Sequence, residues 1–245
     1  TEVKQLSALF ECIGVKQKDS MIVMLNNSVE FVITMLAAAN LGIILVPLNT
    51  TLKDKAIIKS INTTRAKFFI ANAYVLNQID QDGLGINSKS IISVGESSKG
   101  LVEYSSKFSI NVLDYQLDKF KVDSSEKYIY SMTSGSTGNP KPIIFTQEIK
   151  IKRAFLSAKD LYKLNSSDVI IASSPMFHSL AQRLTLLPIL IGGTLALIKK
   201  FTPKSWLLEV EKSKVTFAIL VSSQLEPILN QLKKDMNDIS SLKTI

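Results

Sequence analysis

The sequence predicts an α/β fold with two similar lobes of mostly parallel sheet flanked by helices. From about residue 20, short runs rich in aliphatic and β-branched residues alternate with helical patterns, the signature of parallel strands joined by crossover helices. A polar, poorly patterned stretch at 95–127 interrupts the alternation and divides the chain into a first lobe, residues 1–120, and a second, residues 121–245. With 245 residues and 46% apolar content, the chain has enough material for two modest cores.

The elements follow in order. Residues 21–25 predict a strand, and Ser28 then caps a helix to about residue 41, which Gly42 is placed to end. A strand at 43–46, a helix at 53–62, a strand at 67–71, a helix at 73–80 and a strand at 91–94 complete the first lobe. The second lobe opens with a strand at 128–132, a Gly/Ser/Thr loop and a strand at 142–145. Thr146 can cap a long helix to about residue 162, with Ile149, Ile151, Phe155, Leu156 and Leu161 as its apolar face. Strands at 169–173, 194–198 and 215–221 then alternate with helices at 180–190, 203–213 and 223–235. Thr202-Pro203 is a cap-plus-first-turn pair that fixes the start of the helix at 203.

Composition narrows the functional classes. The net charge of +8 comes mostly from lysines scattered along helices and loops, such as Lys16, Lys53 and Lys59, without a compact arginine stripe, so no nucleic acid partner is expected. One cysteine, Cys12, and one histidine, His178, leave no zinc spacing and no intrachain disulfide, which fits a reducing, cytoplasmic setting. The apolar run at 31–48 is interrupted by Asn40, Gly42 and Pro47, so a buried helix followed by a core strand is expected there, with no membrane span. The first residues carry no signal-peptide pattern.

Residues 133–141 carry the chemistry. Gly135 and Gly138 permit positive φ and close backbone approach, so consecutive N–H groups can converge on an anion. Thr133, Ser134, Ser136 and Thr137 offer four hydroxyls, and Lys141 adds a mobile point charge. Such clusters commonly mark ordinary turns. The strand-like run at 128–132 and the lysine at a fixed offset from Gly138 favour a phosphate cradle instead. A Walker A loop would open directly into a helix after its lysine, whereas Pro140 and Pro142 flank Lys141 and hold the chain extended.

The run Thr133-Ser134-Gly135-Ser136-Thr137-Gly138-Asn139-Pro140-Lys141 resembles the phosphate-binding motif of the adenylate-forming superfamily, [ST]-[ST]-G-[ST]-T-G-x-P-K. Weaker similarities in the family's order cover most of the chain: Gly14-Val15 to Asp19, Asn27 to Phe31, Gly42 to Asn49, Pro175 to His178, Gly192-Gly193-Thr194 and Lys214 to Phe217. The resemblance implies the large N-terminal domain of an AMP-forming acyl-CoA synthetase, incomplete at its C-terminal side. Such an enzyme uses ATP and Mg2+ to activate a small-molecule carboxylic acid, then passes the acyl group to CoA or to the phosphopantetheine of a carrier protein. By this resemblance residues 133–138 wrap the β- and γ-phosphates. Ser136, Thr137 and Lys141 make direct contacts, with Lys141 and Thr137 as the catalytic candidates. Empty of an anion, the loop is expected to be mobile.

A lone histidine is ordinarily a packed or surface residue. His178, however, follows the predicted strand at 169–173, where α/β sheets form their ligand crevice, and the family places an aromatic residue or histidine beside the acyl site here. His178 is therefore expected to line or gate the substrate pocket, and a carboxylate needs no base in order to attack. No metal ligand is assigned within the chain. Where the family usually has glycine and a Thr-His pair after the loop lysine, this chain has Pro142 and Thr146-Gln147. Residues 238–245 resemble the run before the family's Gly-Gly-Ala segment. The adenine-contacting segment with its magnesium-binding glutamate, the ribose-binding aspartate and the small C-terminal domain are thus expected beyond Ile245, and the chain alone is not expected to complete the reaction. An alternative is a non-catalytic or split adenylation-like module that binds a nucleotide or a protein partner. A third reading, an unrelated phosphate-binding NTPase, lacks a helix after Lys141.

Overall fold

A computed structural model describes residues 1–96, 101–117, 119–133 and 141–245, with Thr133 described in its backbone alone. The chain divides into two compact units, Thr1–Leu25 with Val29–Glu148, and Asn26–Ser28 with Ile149–Ile245.

The first unit begins with helix α1 (Glu2–Cys12), which the sequence reading did not anticipate, although Leu6, Leu9 and Phe10 sit at helical spacing and are buried. Then follow β1 (Ser20–Met24), α2 (Val29–Leu41), β2 (Ile44–Pro47), α3 (Asp54–Thr64), β3 (Phe68–Asn72), the short α4 (Ala73–Leu76), β4 (Ile91–Val94) and β5 (Val102–Glu103). The hairpin β6 (Lys127–Thr133) and β7 (Lys141–Thr146) completes a seven-stranded sheet in the order β5-β4-β3-β1-β2-β6-β7. Pairing is parallel as far as β6, with Met21 opposite both Leu45 and Phe68 and Leu45 opposite Ile129; only β6 and β7 run antiparallel. β1 and β2 are buried at every position, as strands covered on both faces must be, and their side chains join Phe69, Ile57, Val75 and Tyr130 in the core. Pro142 is tolerated because β7 is the sheet's edge strand and lacks a further neighbour to receive the missing N–H.

Two expectations change here. The lobe boundary expected near residue 120 moves to Glu148, because β6 pairs with β2 and carries β7 with it into the first sheet. The stretch at 95–127, expected to be a linker, contains β5 and a 3-10 turn (Tyr104–Ser109). Lys107, only 1% exposed, holds that turn: its ammonium lies 4.1 Å from the Tyr104 ring centre, 3.6 Å from that of Phe108 and 3.3 Å from the Glu2 carboxylate. Tyr115 and Lys119 both donate to Glu11 of α1, at 2.7 and 2.9 Å.

In the second unit, α5 (Gln147–Leu156), whose first two residues belong to the first unit, ends six residues earlier than the sequence predicts and passes into a π-helical turn (Ser157–Leu161). Its faces are the reverse of the expected ones. Ile149, Ile151, Phe155, Leu156 and Leu161 are exposed, whereas Lys150, Ala154 and Ala158, spaced by four, are buried. β8 (Val169–Ala172), α6 (Ser179–Ile191), β9 (Thr194–Leu197), α7 (Pro203–Ser213), β10 (Phe217–Ala218) and α8 (Ser222–Asp235) follow, and the strands form a parallel sheet in the order β10-β8-β9. β10 is far shorter than the strand expected at 215–221. Trp206, Leu207, Val210, Val215, Ala218 and Ile228 pack against Ile171 and Ala196. The fold is thus α/β with mostly parallel sheets, and the two sheets differ in size.

Local chemistry sets the connections. Gly192 caps α6 in the left-handed region at φ +75°, and a Cβ on Gly193 would lie 2.9 Å from the Asp168 carbonyl oxygen, which accepts the Thr194 N–H at 3.0 Å. Thr202 and Ser205 form a reciprocal capping box at the start of α7. Asp168 accepts from the Asn165 N–H, the Thr216 hydroxyl and the Lys243 ammonium, which tie the last residues to the sheet.

Candidate functional site

Local pairing brings the two ends of the predicted phosphate loop together. Thr133 closes β6 and Lys141 opens β7, and the two are directly opposed in the antiparallel register. Both residues lie at one end of the sheet, at the C-terminal end of parallel β6. Parallel α/β sheets bind ligands at this end of their strands. Lys141 is exposed, so its ammonium can meet an anion from solvent. Ser134, Gly135, Ser136, Thr137 and Gly138 lie outside the described residues, as does the expectation that the empty loop is mobile.

His178 stands immediately before α6, with an extended backbone at φ −90° and ψ 143°. Its N–H donates to Pro175 O at 2.9 Å, its carbonyl accepts the Gln182 N–H at 3.2 Å, and its ring centre is 4.2 Å from that of Phe177. Partial desolvation lowers its pKa below the ordinary histidine value, so the neutral imidazole is favoured near pH 7. His178 therefore sits in the turn past the C-terminal end of β8, where the sequence placed it.

That turn is anchored by side chains the sequence did not reveal. Asn27 donates through Nδ2 to Ser174 O at 2.9 Å and accepts the Met176 N–H through Oδ1 at 2.7 Å. Gln182 donates through Nε2 to Met176 O at 2.9 Å and accepts at Oε1 from Lys150 Nζ, at 2.5 Å. Lys150 also donates to Ser179 Oγ at 3.3 Å. Asn27, Met176, Gln182 and Lys150 are all buried. Burial, with Arg153 nearby, pushes the Lys150 ammonium down to about 7. The partners of Asn27 lie about 150 positions away in sequence, so only the Asn27 to Phe31 family similarity pointed at that residue.

Past the C-terminal end of neighbouring β10, an open cleft of about 420 Å3 is lined mainly by apolar groups of Tyr162, Phe217, Leu220, Val221, Leu225 and Ile245. Of the sequence-predicted site residues with described side chains, neither Lys141 nor His178 lines it. Among the described residues no group of three or more His, Cys, Asp or Glu side chains could hold a metal ion. Within the same limits, no helix is long and apolar enough to cross a membrane.

Comparison with known proteins gives these features a context. The family described as AMP-binding enzyme matches residues 1–245. A 4-coumarate:CoA ligase from Petunia hybrida is 25% identical over 247 residues, covering 99% of this chain and 45% of that protein. The crystal structure of a long-chain fatty acid CoA ligase from Archaeoglobus fulgidus superposes with a TM-score of 0.85 at 22% identity, covering 99% of this chain and 48% of that one. The inhibitor-bound N-terminal domain of FACL13 from Mycobacterium tuberculosis gives 0.84 at 19% identity, covering 99% and 60%. The chain spans about half the length of the curated relatives it matches. The hairpin that opposes Thr133 to Lys141 and the turn that presents His178 thus stand in an α/β frame shared with acyl-CoA ligases, and the chain belongs to the AMP-binding enzyme family of the adenylate-forming superfamily.

Proposed function

We propose that this chain forms part of an AMP-forming, carboxylate-activating ligase of the acyl-CoA synthetase type. The observation that carries the reading is the match of residues 133–141 to the phosphate motif, in a chain whose whole length matches the AMP-binding family. In the first step a substrate carboxylate oxygen attacks the α-phosphorus of ATP. The bond to the bridging oxygen breaks and pyrophosphate leaves, giving an acyl-adenylate. In the second step a thiol of CoA or of a carrier phosphopantetheine attacks the acyl carbon, loses its proton and expels AMP. A carboxylic acid substrate and CoA are favoured because the 4-coumarate and indoleacetate relatives are named for that chemistry.

In this reading the chain's own task is to hold the polyphosphate while negative charge moves onto the leaving group. Residues 133–138 with Lys141 clamp the β- and γ-phosphates, and each charge-assisted hydrogen bond contributes roughly 1.5–3 kcal/mol. His178, neutral near pH 7, shapes the acid pocket without acting as a base. Mg2+, when bound, would supply charge neutralisation on the phosphates. The test is ATP–pyrophosphate exchange by the complete gene product with a panel of carboxylic acids. Exchange that depends on the acid supports the assignment, and nucleotide hydrolysis indifferent to acid, without exchange, refutes it.

A further inference from the structure

The crevice turn 174–178 is held by a relay of two primary amides, and one end of that relay is a buried lysine. A primary amide is polar end to end: its oxygen accepts and its nitrogen donates, and a flip exchanges the two. Asn27 uses both ends on the backbone of the turn, accepting from Met176 N–H and donating to Ser174 O. Gln182 uses only its nitrogen there, donating to Met176 O, while its oxygen faces Lys150. In its ammonium form, which prevails below about pH 7, Lys150 donates and never accepts, so at those pH values it fixes the polarity of Gln182 and thereby directs a donor at the Met176 carbonyl. Without it the amide can flip and set two oxygens against each other at Met176 in a region from which water is excluded. Lys150 is 3% exposed, which places it out of reach of bulk solvent as a surface charge. Retaining a buried ammonium costs stability that an apolar side chain of the same length would not, so its presence calls for a positional reason.

We infer that Lys150 is a positioning residue for the acid pocket: through Gln182 and Met176 it locks the turn that presents Phe177 and His178 to the substrate. The inference rests on the proposed role of His178, and its geometric part is independent of activity. Two variants separate positioning from mere stability. Lys150→Met removes the donor at constant length, whereas Gln182→Glu keeps an acceptor for Lys150 but places an oxygen against Met176 O. Amide hydrogen exchange and steady-state kinetics are read on the complete gene product. In both variants the Met176 and His178 amides should exchange about tenfold faster or more, with the β8 amides of Ile170 to Ala172 unchanged. The KM for the acid should rise about tenfold while the KM for ATP stays within about twofold. Unchanged exchange at Met176 and His178 in either variant overturns the inference, as does a uniform acceleration across the second unit. A wild-type protein without acid-dependent exchange of pyrophosphate refutes the proposed function, and the amide exchange result still decides the position of the turn.

Discussion

Lys141 and Lys150 show two opposite uses of a lysine. Lys141 is exposed at the mouth of the hairpin, where an ammonium can approach phosphate as a point charge. Lys141→Ala should lower the adenylation rate by about 10²–10³ with little change in the KM for ATP, because the charge it meets develops in the transition state. An unchanged kcat with a raised KM in steady-state assays would instead make it a ground-state contact. Lys150 is inside, and burial holds its pKa at about 7, well below the ordinary lysine value of 10.5. Below pH 7 both folded and unfolded states are protonated and the whole cost of burying the charge is present. As pH rises from about 7 toward 10.5, the folded state releases its proton first and the cost is relieved. In denaturant titrations at constant ionic strength, wild type should therefore gain stability relative to Lys150→Met between pH 7 and pH 10, by about 1–3 kcal/mol. Parallel pH profiles would contradict the burial. Lys141 stands out as a candidate in the sequence because its motif is contiguous, whereas Lys150 reads as one charge among the neighbours Lys152 and Arg153.

The helix α5 shows why local pattern misleads. Ile149, Ile151, Phe155, Leu156 and Leu161 suggest a core-facing stripe, yet Leu161 is 68% exposed while Lys150, Ala154 and Ala158 turn inward. Small residues at a spacing of four permit close approach that large ones would prevent, and nothing in a single helical pattern announces which stripe a neighbour will meet. The strands were read more faithfully, since β1, β2, β3, β8 and β9 are short, apolar and bounded by turn residues. β10 spans only two residues, and Thr216 just before it is tied to Asp168 and to the segment containing Lys243 and Thr244. Where glycine and capping residues punctuate the elements, their effects are measurable. Gly193→Ala should cost about 1–3 kcal/mol in chemical denaturation, since the new methyl has a backbone oxygen and not a flexible side chain at 2.9 Å. Thr202→Ala should cost about 1 kcal/mol through loss of the capping box. A Gly193→Ala protein as stable as wild type would show that the close approach at Asp168 is not retained.

Across the whole chain, the alternation of strands and helices was enough to expect α/β architecture, and the fold shared with acyl-CoA ligases agrees with it. The division into units was not legible, because assigning β6 to the first sheet depends on the pairing of Leu45 with Ile129, a contact between residues far apart in sequence. The Asp168 cluster gives the second unit a predicted acid sensitivity. Desolvation pushes its carboxyl up, but the Asn165 N–H, Lys243 and Thr216 outweigh that and hold it below the usual carboxylate value. Its contribution is present above the ordinary carboxylate pKa and is lost as pH falls through the lowered one, so Asp168→Asn should flatten the acid limb of the stability profile. The central claim concerns the chemistry of the complete gene product, and ATP–pyrophosphate exchange tests it most directly. Acid-dependent exchange that falls by about 10²–10³ in Lys141→Ala is the predicted result. Exchange that survives Lys141→Ala unchanged, or nucleotide turnover that ignores every carboxylic acid, would contradict the account.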